Sequence, residues 1–446
     1  MEKYGVIFSG GGAKGGYQIG VWKALNELGF VPDVVTGTSV GALNGALLAM
    51  GEYKKALSIW ENMSMSTVFE QFAGDENTSS GKMDDLFSRV LKEAIFKRGA
   101  DYTPLQNLVR STLDEKKLRS AKAQFGLVTT KFSPIKAVEL FIEDIPEGMA
   151  ADYIIASAAC FPVMKSYKIG DSVFVDGGYS DNIPVKMALD KGATEIVAVN
   201  IGSMGKAQNV ETGSAVVHYI QNKRPFNNGQ RGSVMMFDKN ISLQNIQLGY
   251  LDGLKEFGKL DGFYYSFHKG EAEKALFLEP VMRKKYRTVF SDLPASSKLE
   301  EAASESVKKH LGENTEFPLG INCGALACIE AAAEIFEINP RIIYTVDTIC
   351  EMVEERFYEA LNNQSSEELI SLAKTLDRGI SFELMKTAIS GLDKKALTVY
   401  AAQILMHAEI SHSHMLRLWI IAALMPDVFC AAMFCYAYLQ NKYPPA

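Results

Sequence analysis

The sequence predicts an α/β fold with a mainly parallel sheet in the first half of the chain and an all-α domain in the second. From residue 1 to about 205, short apolar runs alternate with stretches of helical periodicity, which is typical of strands joined by helices. Beyond about residue 240 that alternation ends, and apolar residues recur at helical spacing. Because 446 residues exceed one typical domain, we expect two domains, 1–285 with its core in 4–205, and 286–446.

Six strands are predicted in the first half of the chain. Each is a short apolar run next to a turn or a helix: Tyr4–Phe8, Val34–Thr36, Phe125–Thr130, Val138–Ile142, Val173–Asp176 and Glu195–Asn200. Residues 52–120 are mostly helical and polar, which indicates an insertion or a cap region. The segment 203–236 is rich in glycine, asparagine and glutamine, and we expect it to be partly loop.

Helices are predicted throughout the second half of the chain. Apolar residues follow a helical period over residues 241–260, 297–311, 323–337, 341–361, 366–376, 381–390 and 393–409. The last apolar run, 415–440, raises the alternative of a membrane span, which needs about 20 uninterrupted apolar residues. Pro426 and Asp427 interrupt the run, and proline is favourable at a helix start. We therefore favour a buried helical hairpin over membrane insertion.

The composition argues against several classes of partner and site. A net charge of −7 and a pI near 5.6 disfavour a nucleic acid partner and simple electrostatic docking on anionic lipid. The six cysteines form no C-x-x-C pair, which predicts reduced thiols and no structural metal. The N-terminus shows no secretory signal, so we expect a cytoplasmic protein that is peripheral at membranes if its substrate lies there.

The glycine tract GGGAKGGY, residues 10–17, lies between the first predicted strand and a helix. This is an anion-binding geometry, because unpaired amide N–H groups and the positive helix end face one point. A P-loop requires Gly-Lys followed by Ser or Thr, but Lys14 lies between Ala13 and Gly15. A dinucleotide site requires an acid after the second strand, but Asp33 precedes that strand. The tract therefore favours neither phosphate ligand.

The second predicted strand leads into GTSVG, which matches the pattern G-x-S-x-G. Gly37 and Gly41 permit a sharp strand-to-helix turn that exposes the Ser39 hydroxyl near a helix N-terminus. A plain helix N-cap serine is the alternative interpretation. Two glycine turns at neighbouring strand ends share one sheet edge, where open α/β sheets carry their sites. The glycine tract can then donate its amides to the oxyanion of an acyl intermediate.

An activated serine needs a base, which is most often a histidine. All six histidines lie beyond the predicted α/β core: His218, His268, His310, His407, His412 and His414. His268 is the least implausible base among them, and the spacing of the last three does not suit a metal site. Asp176 ends a predicted strand and precedes two glycines, so it can point into the same cleft as Ser39. Asp181 is a competing acid, and a turn aspartate is the alternative interpretation of Asp176.

In this order, GGGAKG, GTSVG and DGG resemble the motifs of the patatin-like phospholipases, and ASAACFPV and DNIPV resemble the bacterial members. The resemblance covers residues 4–205 and implies a three-layer fold in which helices sandwich the sheet. It implies a Ser–Asp dyad without a catalytic histidine, with Ser39 as the nucleophile and Asp176 as the base. It also implies an oxyanion hole at Gly10, Gly11 and Gly12, and supporting turn residues at Lys14, Gly15, Gly37, Gly41, Gly177 and Gly178.

The family implies hydrolysis of lipid carboxylic esters through an acyl-serine intermediate, as in a phospholipase A or lysophospholipase. It implies no cofactor and no metal, so we expect calcium-independent turnover of a lipid or membrane-surface substrate. The aspartate should be partly desolvated, because a raised pKa makes it a stronger base. Two alternatives stay open: a thioesterase or acyltransferase on the same dyad, and a regulatory protein that acts through the helical C-terminal domain. A homo-oligomer is also left open.

Residues 60–74, WENMSMSTVFEQFAG, set apolar side chains in a polar neighbourhood. They predict either an apolar lip that meets lipid or an ordinary packed helix of the cap region, and we favour the packed helix. The apolar residues concerned are Met63, Met65, Val68, Phe69 and Phe72.

Overall fold

The computed structural model of the protein describes residues 2–72, 88, 90, 92, 94, 96, 98–202, 205–206, 208–223, 234–290, 298–313, 324–363 and 392–444. The chain forms two compact units, Met1–Phe257 and Gly258–Ala446. This division differs from the expected one after residue 285, because Leu278 and Met282 are buried in the core of the second unit. The predicted helices 366–376 and 381–390 lie outside the described residues.

The described part of the first unit contains an eight-stranded sheet. Its strands are β1 Tyr4–Phe8, β2 Val34–Thr38, β3 Gln124–Phe132, β4 Ile135–Phe141, β5 Tyr167–Ile169, β6 Ser172–Asp176, β7 Glu195–Asn200 and β8 Val216–Gln221. All six predicted strands are present, and four of them differ from the prediction by one to three residues at an end. The sequence did not predict β5 or β8, and β8 lies in the segment that was expected to be partly loop.

Parallel pairing joins β3, β2, β1, β7 and β8 in that order, while β4, β5 and β6 are antiparallel to their neighbours. β2 and β6 both pair with the edge of β3 that faces away from β4. On β3, residues 126–128 pair with both β2 and β4, and residues 129–131 pair with both β6 and β4. β2 and β6 therefore meet end to end beside β3, with Thr38 opposite Val128 and Asp176 opposite Thr129. These neighbouring positions are about 3.3 Å apart along β3.

Helices cover both faces of this sheet and give the unit three layers, as the predicted fold class requires. Successive residues of β1 alternate between two cores: Val6 and Phe8 pack into one, and Ile7 packs into the other. Strands that are buried on both faces are typical of parallel sheets and explain the continuous apolar runs. The helices are α1 Gly16–Glu27, α2 Val40–Ala49, α3 Tyr53–Glu61, α4 Met65–Val68, α5 Thr103–Thr112, α6 Glu115–Arg119, α7 Ala150–Ser157, α8 Val185–Asp190 and α9 Lys239–Glu256.

The second unit is mainly helical. Its described helices are α10 Glu271–Lys274, α11 Glu279–Val289, α12 Lys298–Glu313, α13 Gly324–Ile335, α14 Val346–Asn363, α15 Lys394–Met406, α16 His412–Leu424 and α17 Pro426–Lys442. The second unit also contains a small sheet, made by β9 Leu260–Asp261, β10 Ser266–His268 and β11 Ile343–Tyr344, and only β11 lies within the predicted all-α residues 286–446. Strands of two or three residues leave no periodic pattern from which they could be predicted.

The apolar C-terminal run forms the expected helical hairpin. α16 ends at Leu424, and α17 begins at Pro426, where a proline suits the first turn. Trp419 on α16 and Phe429 and Phe434 on α17 are buried in the core of the second unit. Among the described helices, none combines the length and the apolar character that a membrane span requires.

Candidate active site

Ser39 occupies the turn between β2 and α2, with backbone angles φ 56° and ψ −127°. A positive φ is uncommon for a residue with a side chain and marks a strained turn. The turn is tight, because a Cβ atom on Gly41 would lie 2.1 Å from the Phe8 carbonyl oxygen. Ser39 is the N-cap residue of α2, but its side chain makes no capping hydrogen bond to the helix. Its hydroxyl is available for another partner.

A buried serine at the end of α7 holds the backbone of this turn. The Ser157 hydroxyl accepts a hydrogen bond from the Ser39 amide at 2.8 Å and donates one to the Val128 carbonyl oxygen at 2.6 Å. Val128 is the β3 residue opposite the end of β2, so Ser157 ties the turn to the strand beside it. No role is predicted for Ser157 from the sequence, although the ASAACFPV stretch contains it.

The structure brings Asp176 beside Ser39. The Ser39 hydroxyl is near enough to lower the pKa of the Asp176 carboxyl, and the Gly178 amide donates a hydrogen bond to Asp176 Oδ1 at 2.8 Å. Asp176 is only 8% exposed. Burial raises its pKa from 3.8 to about 6, although the Ser39 hydroxyl and the Gly178 amide act in the opposite direction. The carboxylate is therefore a stronger base than an ordinary aspartate and is still largely ionised at neutral pH.

The competing acid and the histidines take no part in this arrangement. Asp181 is buried, and its carboxylate accepts a hydrogen bond from a backbone amide at 3.1 Å. It is not among the described residues that line the cavity at Ser39. His218 lies on β8 and pairs with glutamates, and His268 belongs to the second unit. Of the described residues around this cavity, none is a histidine.

Only two of the three predicted oxyanion donors are available. The Gly10 amide already donates to the Asn182 carbonyl oxygen at 3.2 Å, which removes Gly10 from the predicted oxyanion hole. No described residue accepts a hydrogen bond from the amides of Gly11 and Gly12, and both glycines line the cavity. Gly12 has a φ of 56°, a backbone conformation that favours glycine. Gly11 and Gly12 remain the candidate donors.

Lys14 fixes the glycine loop to the end of β7. Its Nζ donates a hydrogen bond to the Gly202 carbonyl oxygen at 2.8 Å. The side chain is buried, and this burial lowers the lysine pKa. Lys14 is absent from the described cavity lining, so its position suits support of the loop. The other motif glycines lie in or beside the predicted turns: Gly15 before α1, Gly37 in β2, and Gly177 and Gly178 directly after β6.

A cavity of about 510 Å³ contains Ser39 and Asp176. This volume falls within the range of small-molecule sites. Its wall is mainly apolar and includes Leu43, Trp60, Met63, Val68, Leu105, Val109, Ile154, Ile155, Val163, Met164, Met235 and Phe237. Such a wall suits an apolar chain attached to a polar group at Ser39 and Asp176.

The segment that was considered as a lip is packed inside the first unit. Its five apolar residues are all buried: Met63, Met65, Val68, Phe69 and Phe72. Met63 and Val68 form part of the cavity wall. The interpretation as a packed helical region is therefore confirmed, and the lip is absent from this segment.

Tyr102 adds a polar group to the cavity that the sequence did not predict. The residue lines the cavity and is buried, and its hydroxyl has no hydrogen-bond partner among the described residues. Burial raises the pKa of this hydroxyl, so it stays protonated and can donate. No motif surrounds Tyr102 from which this placement could be predicted.

Residues 6–189 match the family model of the patatin-like phospholipases. Lysophospholipase NTE1 of Phaeosphaeria nodorum is 29% identical over 206 residues, which are 46% of this chain and 12% of that protein. Patatin-like phospholipase domain-containing protein 7 of Rattus norvegicus is 26% identical over 217 residues, which are 47% of this chain and 14% of that protein. This chain thus spans about an eighth of the length of these relatives.

A structural likeness to the crystal structure of VipD from Legionella pneumophila has a TM-score of 0.38 at 15% identity. It covers 96% of this chain and 91% of that chain and is too slight to support a conclusion. The family match covers the strands and turns that carry Ser39 and Asp176. Over residues 6–189, this chain is thus similar to the patatin-like phospholipases.

Proposed function

We propose that this protein hydrolyses carboxylic esters of lipids, as a phospholipase A or a lysophospholipase does. The observation that carries the proposal is that Ser39 and Asp176 lie side by side in an apolar cavity. A serine hydroxyl beside a base of raised pKa is the arrangement that acyl transfer needs. The family of residues 6–189 and the lysophospholipases among the relatives support the same reaction class.

In the first half of the reaction, the Ser39 oxygen attacks the ester carbonyl carbon and Asp176 takes the hydroxyl proton. The carbonyl oxygen becomes negatively charged, and we assign its stabilisation to the amides of Gly11 and Gly12. The tetrahedral intermediate then breaks its bond to the alcohol part of the lipid. Asp176 returns the proton to that leaving oxygen, and the acyl group stays on Ser39 as an ester.

In the second half, water replaces the alcohol. Asp176 removes a proton from the water as its oxygen attacks the acyl-serine, and the same two amides stabilise the new oxyanion. Breakdown of this intermediate releases the fatty acid, and the proton returns to Ser39. The pair thus performs both steps without a histidine, because the pKa of about 6 makes Asp176 a sufficient base at neutral pH.

The substrate class follows from the wall of the cavity. Apolar side chains hold an acyl chain through the hydrophobic effect, which acts without directional contacts. Tyr102 provides a hydroxyl that can donate to an ester or hydroxyl oxygen of the lipid. A lysophospholipid has one acyl chain and a free hydroxyl and therefore suits both features.

The test measures lipid products by mass spectrometry after incubation with lysophosphatidylcholine, diacyl phosphatidylcholine or an acyl-coenzyme A. The wild type should release fatty acid from at least one of the two phospholipids. Ser39→Ala and Asp176→Asn should each lose about a thousandfold or more of the rate, as expected when one member of a catalytic unit is removed. Ser58→Ala, at an exposed serine of α3, is the matched control and should keep full activity.

Fatty acid release that survives in Ser39→Ala would overturn the mechanism. Preferred turnover of acyl-coenzyme A, or transfer of the acyl group to an added alcohol, would favour the thioesterase or acyltransferase alternative. The absence of turnover on all three substrates would favour a regulatory protein. The proposed steps use no metal, so the rate should be the same with a chelator and with added calcium.

A further inference from the structure

The hairpin formed by β3 and β4 ends in two exposed apolar side chains. Phe132 is 42% exposed and Ile135 is 75% exposed, and the two residues are paired directly across the hairpin. Single exposed apolar residues are common on protein surfaces. Two that are paired at the tip of a hairpin form a small apolar patch, which water solvates poorly.

This hairpin tip lies at the same edge of the sheet as the catalytic pair. On β3, Thr129 is opposite Asp176, and Phe132 lies three residues further towards the tip. At about 3.3 Å per residue, the tip projects roughly 10 Å beyond the level of Asp176. A flat surface that meets the tip would therefore lie close to the entrance of the site.

A continuous set of contacts joins the tip to the cavity. The rings of Phe132 and Phe161 pack edge to face, with their centroids 5.5 Å apart. The Tyr179 hydroxyl donates a hydrogen bond to the Phe161 carbonyl oxygen. Tyr179 is 45% exposed and also lines the cavity, so it marks the entrance. These contacts lead from the tip to a residue of the cavity lining.

The charges behind the tip indicate which surface it meets. Lys131 and Lys136 are paired across the hairpin, one position behind Phe132 and Ile135. Two like charges directly opposite each other are unfavourable in a sheet. Neither lysine forms an ion pair with an acidic residue in the described parts of the chain. An anionic surface around the tip would supply the missing counter-charge.

We propose that this hairpin tip docks the protein on an anionic lipid bilayer. Phe132 and Ile135 insert among the acyl chains, and Lys131 and Lys136 lie at the level of the lipid phosphates. Insertion to about 5–10 Å is typical of interfacial segments and would bring the entrance at Tyr179 to the lipid surface. Local insertion also explains how a chain with a net charge of −7 can bind an anionic surface. The inference rests on the proposed function, which makes a membrane lipid the substrate.

The test measures sedimentation with large unilamellar vesicles and uses the full chain with Ser39→Ala, so that binding is separated from turnover. One set of vesicles is pure phosphatidylcholine, and the other contains about a third of phosphatidylglycerol. Phe132→Ser with Ile135→Ser should weaken binding to both sets about tenfold or more, because two inserted side chains are lost. Lys131→Gln with Lys136→Gln should weaken binding about tenfold on the anionic vesicles and little on the neutral ones.

Val216→Ser with Tyr219→Ser is the matched control, because these two β8 side chains are 55% and 54% exposed. This control should bind vesicles like its parent. With Ser39 intact, the tip and control variants should all hydrolyse a soluble short-chain ester at the wild-type rate, which also reports their folding.

Three results would overturn the docking proposal: a parent that does not bind vesicles, tip variants that bind as well as the parent, or a β8 control that loses as much binding. Tip variants that change the oligomeric state instead would assign the tip to a protein interface and would also overturn it. Failure of the proposed function gives a different result, because vesicle binding by the Ser39→Ala protein does not depend on turnover. In that case the Ser39→Ala protein would still bind vesicles, while the wild type would release no lipid products.

Discussion

Asp176→Asn is expected to remove activity and at the same time to stabilise the folded protein. Asp176 is almost fully buried, and its pKa in the folded protein is about 6, compared with an ordinary value of 3.8. Ionisation of this carboxyl is therefore less favourable in the folded protein than in the unfolded chain. Asparagine has a similar shape, is never ionised and can still accept the hydrogen bond of the Gly178 amide.

The magnitude follows from the difference between the two pKa values. Because the pKa of Asp176 is higher in the folded protein, its ionisation lowers the free energy of unfolding. This loss is absent below about pH 3, grows between about pH 4 and pH 6, and is complete above about pH 7. The full amount is about 3 kcal/mol. At pH 5.0, the same two pKa values predict roughly half of this loss in the free energy of unfolding. Asp176→Asn should therefore gain about 3 kcal/mol at pH 7.5 and about half of that at pH 5.0, before any loss of packing.

Differential scanning calorimetry of the full chain at the two pH values measures this gain. For a unit of this size, 1 kcal/mol corresponds to about 2–4 °C, so the transition that contains the first unit should rise by roughly 6–12 °C at pH 7.5. Asp171→Asn, at an exposed position before β6, is the control and should leave the transition unchanged. An Asp176→Asn protein that melts no higher than the wild type at pH 7.5 would refute the argument from burial. A rise in the melting temperature of Asp176→Asn that is equally large at both pH values would refute the argument as well.

Two further predictions concern the rate on a soluble ester. Because Asp176 acts in its ionised form, kcat/KM should rise about tenfold per pH unit below pH 6 and level off above about pH 7; a constant rate down to pH 5 would contradict a base with this pKa. Ser157→Ala leaves the Ser39 amide without its acceptor, so kcat should fall about tenfold while KM stays constant, at a cost of about 1–3 kcal/mol in the free energy of unfolding. Ser242→Ala, which removes a buried 2.6 Å hydrogen bond to the Trp60 carbonyl oxygen, should cost similar stability without changing kcat. Equal kcat losses in both serine variants would show that Ser157 acts on stability alone.

The strands at the centre of the sheet could be predicted because burial on both faces leaves a strong pattern. β1 and β7 have the predicted bounds, and each is a run of apolar residues. β8 could not be predicted in the same way, because Val216 and Tyr219 are exposed and the buried residues do not alternate regularly. The position of β8 is decided by its pairing with β7, and a pattern of neighbouring residues in the sequence carries no information on that pairing.

Turn chemistry predicted that Ser39 and Asp176 share a site, but it did not predict why the two residues lie beside each other. Their proximity depends on β6, which pairs antiparallel with β3 and ends where β2 ends. The Gly10 amide shows the same limit. Gly10 lies in a glycine turn that suits an oxyanion donor. Its amide nevertheless donates to the carbonyl oxygen of Asn182, which is distant in the sequence. Sequence patterns thus identify reactive side chains better than they identify which backbone groups are left free.

The end-to-end meeting of β2 and β6 along β3 has a consequence for protein synthesis. The ribosome completes Ser39 long before it completes Asp176, and the two side chains meet only after β6 has paired with β3. A nascent or partly unfolded chain therefore carries the nucleophile without its base. If the pair acts as proposed, the chain gains the ability to attack lipids only when its sheet is complete, and membranes near the ribosome are spared until then.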